Sequence, residues 1–151
     1  MKKPSHFVFG LLFIVLIGTI AVYSKTVGLP GGIKSKASNL EKIGCFVSFG
    51  RRGGWRIGVP ETVELQSLTR DMLAPFGTES SGTKKPTFIE FEHQLIPNEG
   101  CNLLRNLSGN FHVVVQKNAL SLECVEQVSK QGRLHALMEK DQDGNLTVLY
   151  D

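Results

Sequence analysis

The sequence lacks the short motifs that would assign a catalytic activity or a cofactor. It contains no G-x-S-x-G turn, no Walker-type phosphate loop and no H-E-x-x-H pair. No period of about 20 to 50 residues repeats, which excludes solenoids and propellers. The 151 residues are enough for one hydrophobic core. We therefore predict one small domain with no cofactor, more consistent with a non-enzyme than with an enzyme.

Cysteine is scarce, and the three present have no CxxC or Cys/His spacing typical of zinc. No metal site is predicted from them. In an exported domain two of the three would form a disulfide, and we expect the pair to be Cys101 and Cys124, with Cys45 left reduced. That bridge would contribute about 3 kcal/mol by constraining the unfolded chain. The alternative is three reduced, buried thiols in a cytosolic protein.

The chain also lacks a large surplus of charge, since its net charge is +3. The charge is unevenly distributed: residues 25–60 hold seven Lys and Arg against Glu41 alone. This basic stretch favours either contact with anionic lipid headgroups or a solvated region that pairs with the acidic remainder. A nucleic-acid partner is not predicted, because no recognition motif or interleaved aromatic pattern accompanies the charge.

Residues 7–23 contain no charged side chain and follow Lys2 and Lys3. As a helix they would span about 26 Å, close to the roughly 30 Å of a hydrocarbon core. A retained single-pass transmembrane anchor is favoured over a signal cut ahead of Lys25. The C-terminal domain is then expected outside the cytoplasm, and the alternative is a secreted or periplasmic protein after cleavage.

The rest of the chain divides by composition. Residues 1–24 are assigned to the anchor or signal, residues 25–39 to a flexible Gly/Ser/Lys linker, and residues 40–151 to a single β-rich domain. The predicted fold class is α+β: a small antiparallel sheet of hairpins or a meander, with one short amphipathic helix within residues 61–73.

The strands are predicted from alternating or continuous apolar runs bounded by turn residues. Residues 43–49 and 55–59 form a hairpin around a glycine-rich turn, and Asp143-Gly144 indicates a second hairpin near the C-terminus. Residues 87–96, 111–116, 120–125, 133–139 and 146–151 complete the predicted strands.

A few polar residues are candidates for metal binding or catalysis. His93, His112 and His135 all fall on predicted strands, but ordinary half-buried histidines are favoured over a metal site. Glu90 and Glu92 would share the solvent face of one strand. The stretch around Asp141 and Asp143 lacks the terminal glutamate of a calcium loop, so a hairpin turn is predicted.

The function predicted from these features is a membrane-anchored or exported binding or assembly module that acts by protein–protein contact at the cell envelope. The candidate contact residues are in the first hairpin, where Trp and Arg are favoured interface anchors: Arg51, Arg52, Trp55 and Arg56. Trp55 is equally well explained as a core residue of the hairpin. The alternatives are a metal- or thiol-dependent hydrolase of the envelope, an inhibitor or immunity-type protein, and a purely structural anchor.

Overall fold

The computed structural model describes residues 31–51, 53–78 and 81–151. The hydrophobic segment 7–23 and Arg52 therefore lie outside the described residues. The described helices are α1 (Gly31–Lys42), α2 (Arg70–Leu73), α3 (Asn98–Asn106) and α4 (Leu122–Gln131), with 3-10 turns at Leu65–Ser67 and Ala74–Gly77. The strands are β1 (Phe46–Phe49), β2 (Trp55–Val59), β3 (Thr87–Phe91), β4 (Phe111–Gln116), β5 (Ala136–Lys140) and β6 (Leu146–Tyr150).

The six strands form one mixed sheet in the order β1-β2-β3-β4-β5-β6. Strands β2, β3, β4 and β5 are mutually parallel, and only β1 and β6 at the edges are antiparallel to their neighbours. The α+β composition agrees with the prediction, but the antiparallel meander is wrong. Parallel neighbours need a crossover connection. Two of these crossovers are provided by α3 and α4, neither of which was predicted as a helix.

Helix α4 occupies a region that was predicted as a strand, residues 120–125. Its start is fixed by Ser121, whose Oγ accepts the backbone N–H of Cys124 at 3.1 Å. Its end is fixed by Gly132 in the left-handed conformation, with φ of 55°. These two local signals overcome the short alternation of apolar residues that favoured a strand.

All the helices that pack on the sheet contribute to one core on one face. Unbroken strand order with right-handed crossovers places successive helices on the same side of the sheet. The core joins residues of β2, β3 and β4 to residues of α3 and α4: Ile57, Val59, Ile89, Phe91, Val113, Val115, Leu103, Leu104, Cys124 and Val128. We call this side the helix face.

The opposite side of the sheet carries a small, separate apolar cluster. Val114, Ala136 and Met138 form it, with Phe88 packed against them. No helix residue from the described parts of the chain belongs to this cluster. We call this side the open face. In the β1–β2 and β2–β3 pairings, Arg56 lies opposite both Ser48 and Phe88 on it.

Helix α1 lies where the composition predicted a flexible linker. Residues 31–39 are helical, and Ile33 and Leu40 are buried in the main core with exposures of 2% and 0%. Ala37 packs against the same core. The three residues have the i, i+4, i+7 spacing of one helix face, which outweighs the glycines at the start of the helix.

The two predicted hairpins are confirmed, whereas the predicted helix is not continuous. The β1–β2 and β5–β6 hairpins are present, the second around the predicted turn at Gly144. The helix predicted in residues 61–73 is divided into a 3-10 turn and the single turn α2. None of the described helices is long and apolar enough to cross a membrane.

Candidate binding groove

The β1–β2 turn is built from glycines that place Arg51 at its tip. Gly53 and Gly54 have φ of 78° and 102°, a region that favours glycine. Backbone hydrogen bonds join Gly50 and Gly54, with the Gly50 N–H donating to the Gly54 carbonyl at 2.9 Å. The backbone of Gly54 lies so close to the 81–86 loop that an added Cβ would be 3.3 Å from the Pro86 carbonyl oxygen. The turn and the loop thus form two adjacent walls.

The 81–86 loop is held on the sheet at two points. The indole Nε1 of Trp55 donates to the Ser81 carbonyl at 2.9 Å, in a buried position. The side-chain Nδ2 of Asn110, just before β4, donates to the Lys84 carbonyl at 3.0 Å. Because both bonds join side chains near strand ends to the loop backbone, they fix the position of Lys85 relative to the sheet.

A groove of about 600 Å³ runs between these walls. Its volume lies within the roughly 300–1,000 Å³ typical of ligand sites. The described residues that line it include three cations and no acidic side chain: Gly50, Arg51, Gly53, Gly54, Trp55, Arg56, Lys85, Pro86 and Phe88. We call it the basic groove. Its electrostatic character favours an anionic occupant.

Arg56 joins the basic groove to the open face. Its guanidinium carbon is 5.9 Å from the centroid of the Phe88 ring, which is a cation–π contact. Phe88 in turn makes an edge-to-face contact with His112 at 4.9 Å, and His112 stacks on His135 at 4.9 Å. The side chains of Arg56, Phe88, His112 and His135 therefore form a continuous row across the sheet.

The four predicted contact residues have different surroundings. Arg51 and Arg56 are exposed and line the groove, and Arg52 lies outside the described residues. Trp55 is only 4% exposed and packs edge-on against Phe49 and Phe76, with centroid distances of 5.0 and 5.2 Å. Its placement agrees with the alternative core interpretation, and its indole N–H positions the wall of the groove.

Two groove residues were not singled out from the sequence. Lys85 lies in a segment that was assigned to no strand or helix, and the adjacent Lys84 is the local signal that the segment is basic. Phe88 alternates with Ile89 in β3, so the period of two places it on the face opposite the core. Its contact with Arg56 depends on the parallel β2–β3 pairing, which local sequence does not reveal.

The three histidines weighed as a metal set do not meet. His112 and His135 are stacked, whereas His93 is buried and its Nε2 lies 2.9 Å from the Val63 carbonyl oxygen. Partial burial lowers the pKa of His112, and the adjacent His135 lowers it further. Among the described residues there is no group of three or more His, Cys, Asp or Glu arranged to hold a metal ion.

Cys101 and Cys124 form a disulfide with their Cα atoms 5.8 Å apart. They lie on α3 and α4, so Cys124 is on a helix where a strand was predicted. Cys45 is free and buried, and burial raises the pKa of its thiol to about 11. A thiol with such a pKa is protonated at neutral pH, which argues against a nucleophilic role.

Among the remaining acidic candidates, Glu90 and Asp141 have structural partners. Glu90 forms an ion pair with Lys140 on the open face, and Glu92 is exposed. In the β5–β6 turn, hydrogen bonds from Asn145 and the backbone lower the pKa of Asp141. These contacts belong to a hairpin turn, as predicted.

Comparison of the chain with protein-family models, with curated proteins and with solved structures finds no match.

Proposed function

We propose that this chain is a small binding module that meets a protein partner at the cell envelope, through the open face of its sheet and the adjoining basic groove. The observation that carries the proposal is a preorganised cationic wall beside exposed and half-buried aromatic rings of the open face. Phe46 on β1 is 69% exposed and lies opposite Gly58, on the same face of the sheet as Arg56. Arg56 in turn joins the ring of Phe88 to the groove. Interfaces characteristically combine an apolar centre with arginine and aromatic anchors.

The placement at the envelope, by a retained anchor or after export, rests on two independent features. Residues 7–23 form an uncharged run after two lysines, which favours insertion into a membrane. The disulfide between Cys101 and Cys124 suits an oxidising compartment. Together they favour a domain that acts outside the cytoplasm.

Site-specific photo-crosslinking of the full-length protein in its native host tests the proposal. A photoreactive residue replaces Ser48, which lies on the open face of β1 opposite Arg56. The matched control replaces Gln131, which is exposed at the end of α4 on the helix side. We expect one discrete protein adduct, identified by mass spectrometry, with the probe at position 48 and not at position 131.

Two results would overturn the proposed function. The first is the same set of adducts from both positions, because that pattern reports random encounters and not a binding face. The second is recovery of the full-length chain in the soluble fraction with Met1 still at its N-terminus, because that chain would be neither anchored nor processed for export.

A further inference from the structure

We infer that the basic groove binds an acidic peptide segment, with carboxylates of the partner paired to Arg51 and Arg56. This inference rests on the proposed function and names the chemistry of the partner. The first observation is the charge of the groove, which would complement an acidic ligand. Three cations and no acidic residue are found among the described residues that line it.

Within the described part of the chain, neither Arg51 nor Arg56 has a competing ion pair. The described residues contain two salt bridges, Lys130–Glu126 and Lys140–Glu90, and neither involves Arg51 or Arg56. A guanidinium presents a planar array of donors that matches a carboxylate in bidentate geometry. Because both arginines are exposed at the groove, their N–H donors can form hydrogen bonds with a ligand carboxylate.

The cationic wall is preorganised. Arg56 is oriented by its contact with the Phe88 ring, and the loop that carries Lys85 is held by the bonds from Trp55 and Asn110. Side chains already held in place lose less conformational entropy when a ligand binds. A flexible lysine-rich tail would have the same charge without this advantage.

A peptide is favoured over a lipid surface or a nucleic acid by the shape and the apolar content of the site. The groove is concave, and two of its lining residues are Pro86 and the ring of Phe88. A planar membrane would engage an array of protruding cations, and a nucleic acid would engage a larger basic surface with several exposed stacking rings. A segment that alternates acidic and apolar side chains would satisfy both parts of this groove.

The test measures binding of a defined probe to the purified full-length protein in detergent micelles. The probe is a fluorescein-labelled peptide, Glu-Glu-Phe-Glu-Glu, and its neutral control is Gln-Gln-Phe-Gln-Gln. We expect fluorescence anisotropy to detect binding of the acidic peptide, weakening as salt is raised because the ion pairs are screened. The glutamine peptide should bind at least about tenfold more weakly, a difference of about 1.4 kcal/mol.

Charge-reversal variants locate the site. Arg51→Glu and Arg56→Glu should each weaken binding of the acidic peptide by about tenfold or more, since each removes an attraction and adds a repulsion. Lys130→Glu is the matched control, because it makes a comparable charge change on α4 at an exposed position and should leave binding unchanged. Far-UV circular dichroism of each variant confirms that it is folded.

The possible outcomes separate the inference from the proposed function. Equal binding of the acidic and glutamine peptides, or equal loss with Lys130→Glu, would overturn the inference. So would groove-dependent binding only to phosphatidylserine vesicles or to oligothymidylate, each tested with the same variants. If crosslinking at position 48 captures a partner while the acidic peptide fails to bind, the inference is wrong and the proposed function stands. If the peptide binds as expected and no position-specific adduct forms, the proposed function fails and the chemistry of the groove is supported.

Discussion

The imidazole rings of His112 and His135 stack face to face, with centroids 4.9 Å apart and planes within 8° of parallel. His112 projects from β4, and His135 immediately precedes β5, the next strand of the sheet. The other neighbour of His112 is Phe88, beyond which lies the guanidinium of Arg56. Protonation of His112 would therefore place a positive charge in a partly desolvated position between another imidazole and an aromatic ring.

This contact predicts that acid weakens the fold. The pKa of His112 is lowered from its ordinary value of 6.5, chiefly by burial and then by His135. A lowered pKa in the folded state means that the unfolded chain binds the proton more readily. The contribution of His112 to the free energy of unfolding is thus complete above pH 6.5 and is lost as pH falls through the lowered pKa.

His112→Phe should remove this part of the pH dependence. Denaturant unfolding of both proteins at pH 7.5 and at pH 5 would measure it, and the decline in the free energy of unfolding should be smaller in the variant. Equal declines in the two proteins would show that other groups account for the acid sensitivity.

The thiols should differ sharply in reactivity. Denatured, unreduced protein should contain one titratable thiol, since Cys101 and Cys124 form a disulfide. Peptide mapping should assign that thiol to Cys45. In the folded protein Cys45 should react slowly with iodoacetamide, because at pH 8 a thiol with a pKa of about 11 is ionised in only about one molecule in a thousand. Three titratable thiols in protein isolated from its native host would contradict the disulfide.

Local sequence signals predicted the elements whose structure depends on neighbouring residues. The Asp143-Gly144 turn and the glycine-rich turn before Trp55 each fix a hairpin within about a dozen residues. Arg51 and Arg56, which line the candidate groove, were singled out for the same reason, because they flank one of these turns. Local sequence signals could not specify which strand pairs with β2 on the side away from β1.

The parallel pairings could not be predicted because they depend on residues distant in the sequence. The pairing of Arg56 with Phe88 spans more than thirty residues and requires a crossover between them. In β4, burial on both faces makes Val113, Val114 and Val115 a continuous apolar run, which is typical of a strand inside a parallel sheet but does not identify the neighbouring strands. Ser121 is a residue type typical of a helix N-cap, but the alternation of Leu120, Leu122 and Cys124 favoured a strand over the helix that begins there.

Helix α1 should be part of the folded domain and not a tether. Leu40 is completely buried, so Leu40→Ala in the full-length protein should lower the free energy of unfolding by about 2–5 kcal/mol. Asn39→Ala is the matched control, because its side chain is exposed one position earlier on the same helix. Denaturant titration would compare the two variants. Similar effects from both substitutions would show that α1 is not integrated into the core.

Gly77 and Phe111 should be energetically coupled, because the glycine leaves the space that the ring occupies. A Cβ added at Gly77 would overlap the ring of Phe111, which is completely buried at the start of β4. The Gly77 carbonyl also accepts the backbone N–H of Asn110 at 2.9 Å, so the backbone has little freedom to move away. Gly77→Ala should therefore lower the free energy of unfolding by about 1–3 kcal/mol, the usual cost of overpacking.

A double-mutant cycle tests this cause directly. In a Phe111→Leu background the smaller side chain makes room for the new methyl group, so Gly77→Ala should cost less there, with a coupling energy of about 0.5–3 kcal/mol. Gly32→Ala provides the matched control: it lies in α1 with no atom within 4 Å of the added Cβ, and it should be neutral or stabilising by up to about 1 kcal/mol. Denaturant unfolding of the four proteins of the cycle, and of the control, would measure these energies. If Gly77→Ala has the same cost in both backgrounds, its effect does not arise from the Phe111 ring, and the close packing of the 74–77 turn against β4 is not the reason for a glycine at this position.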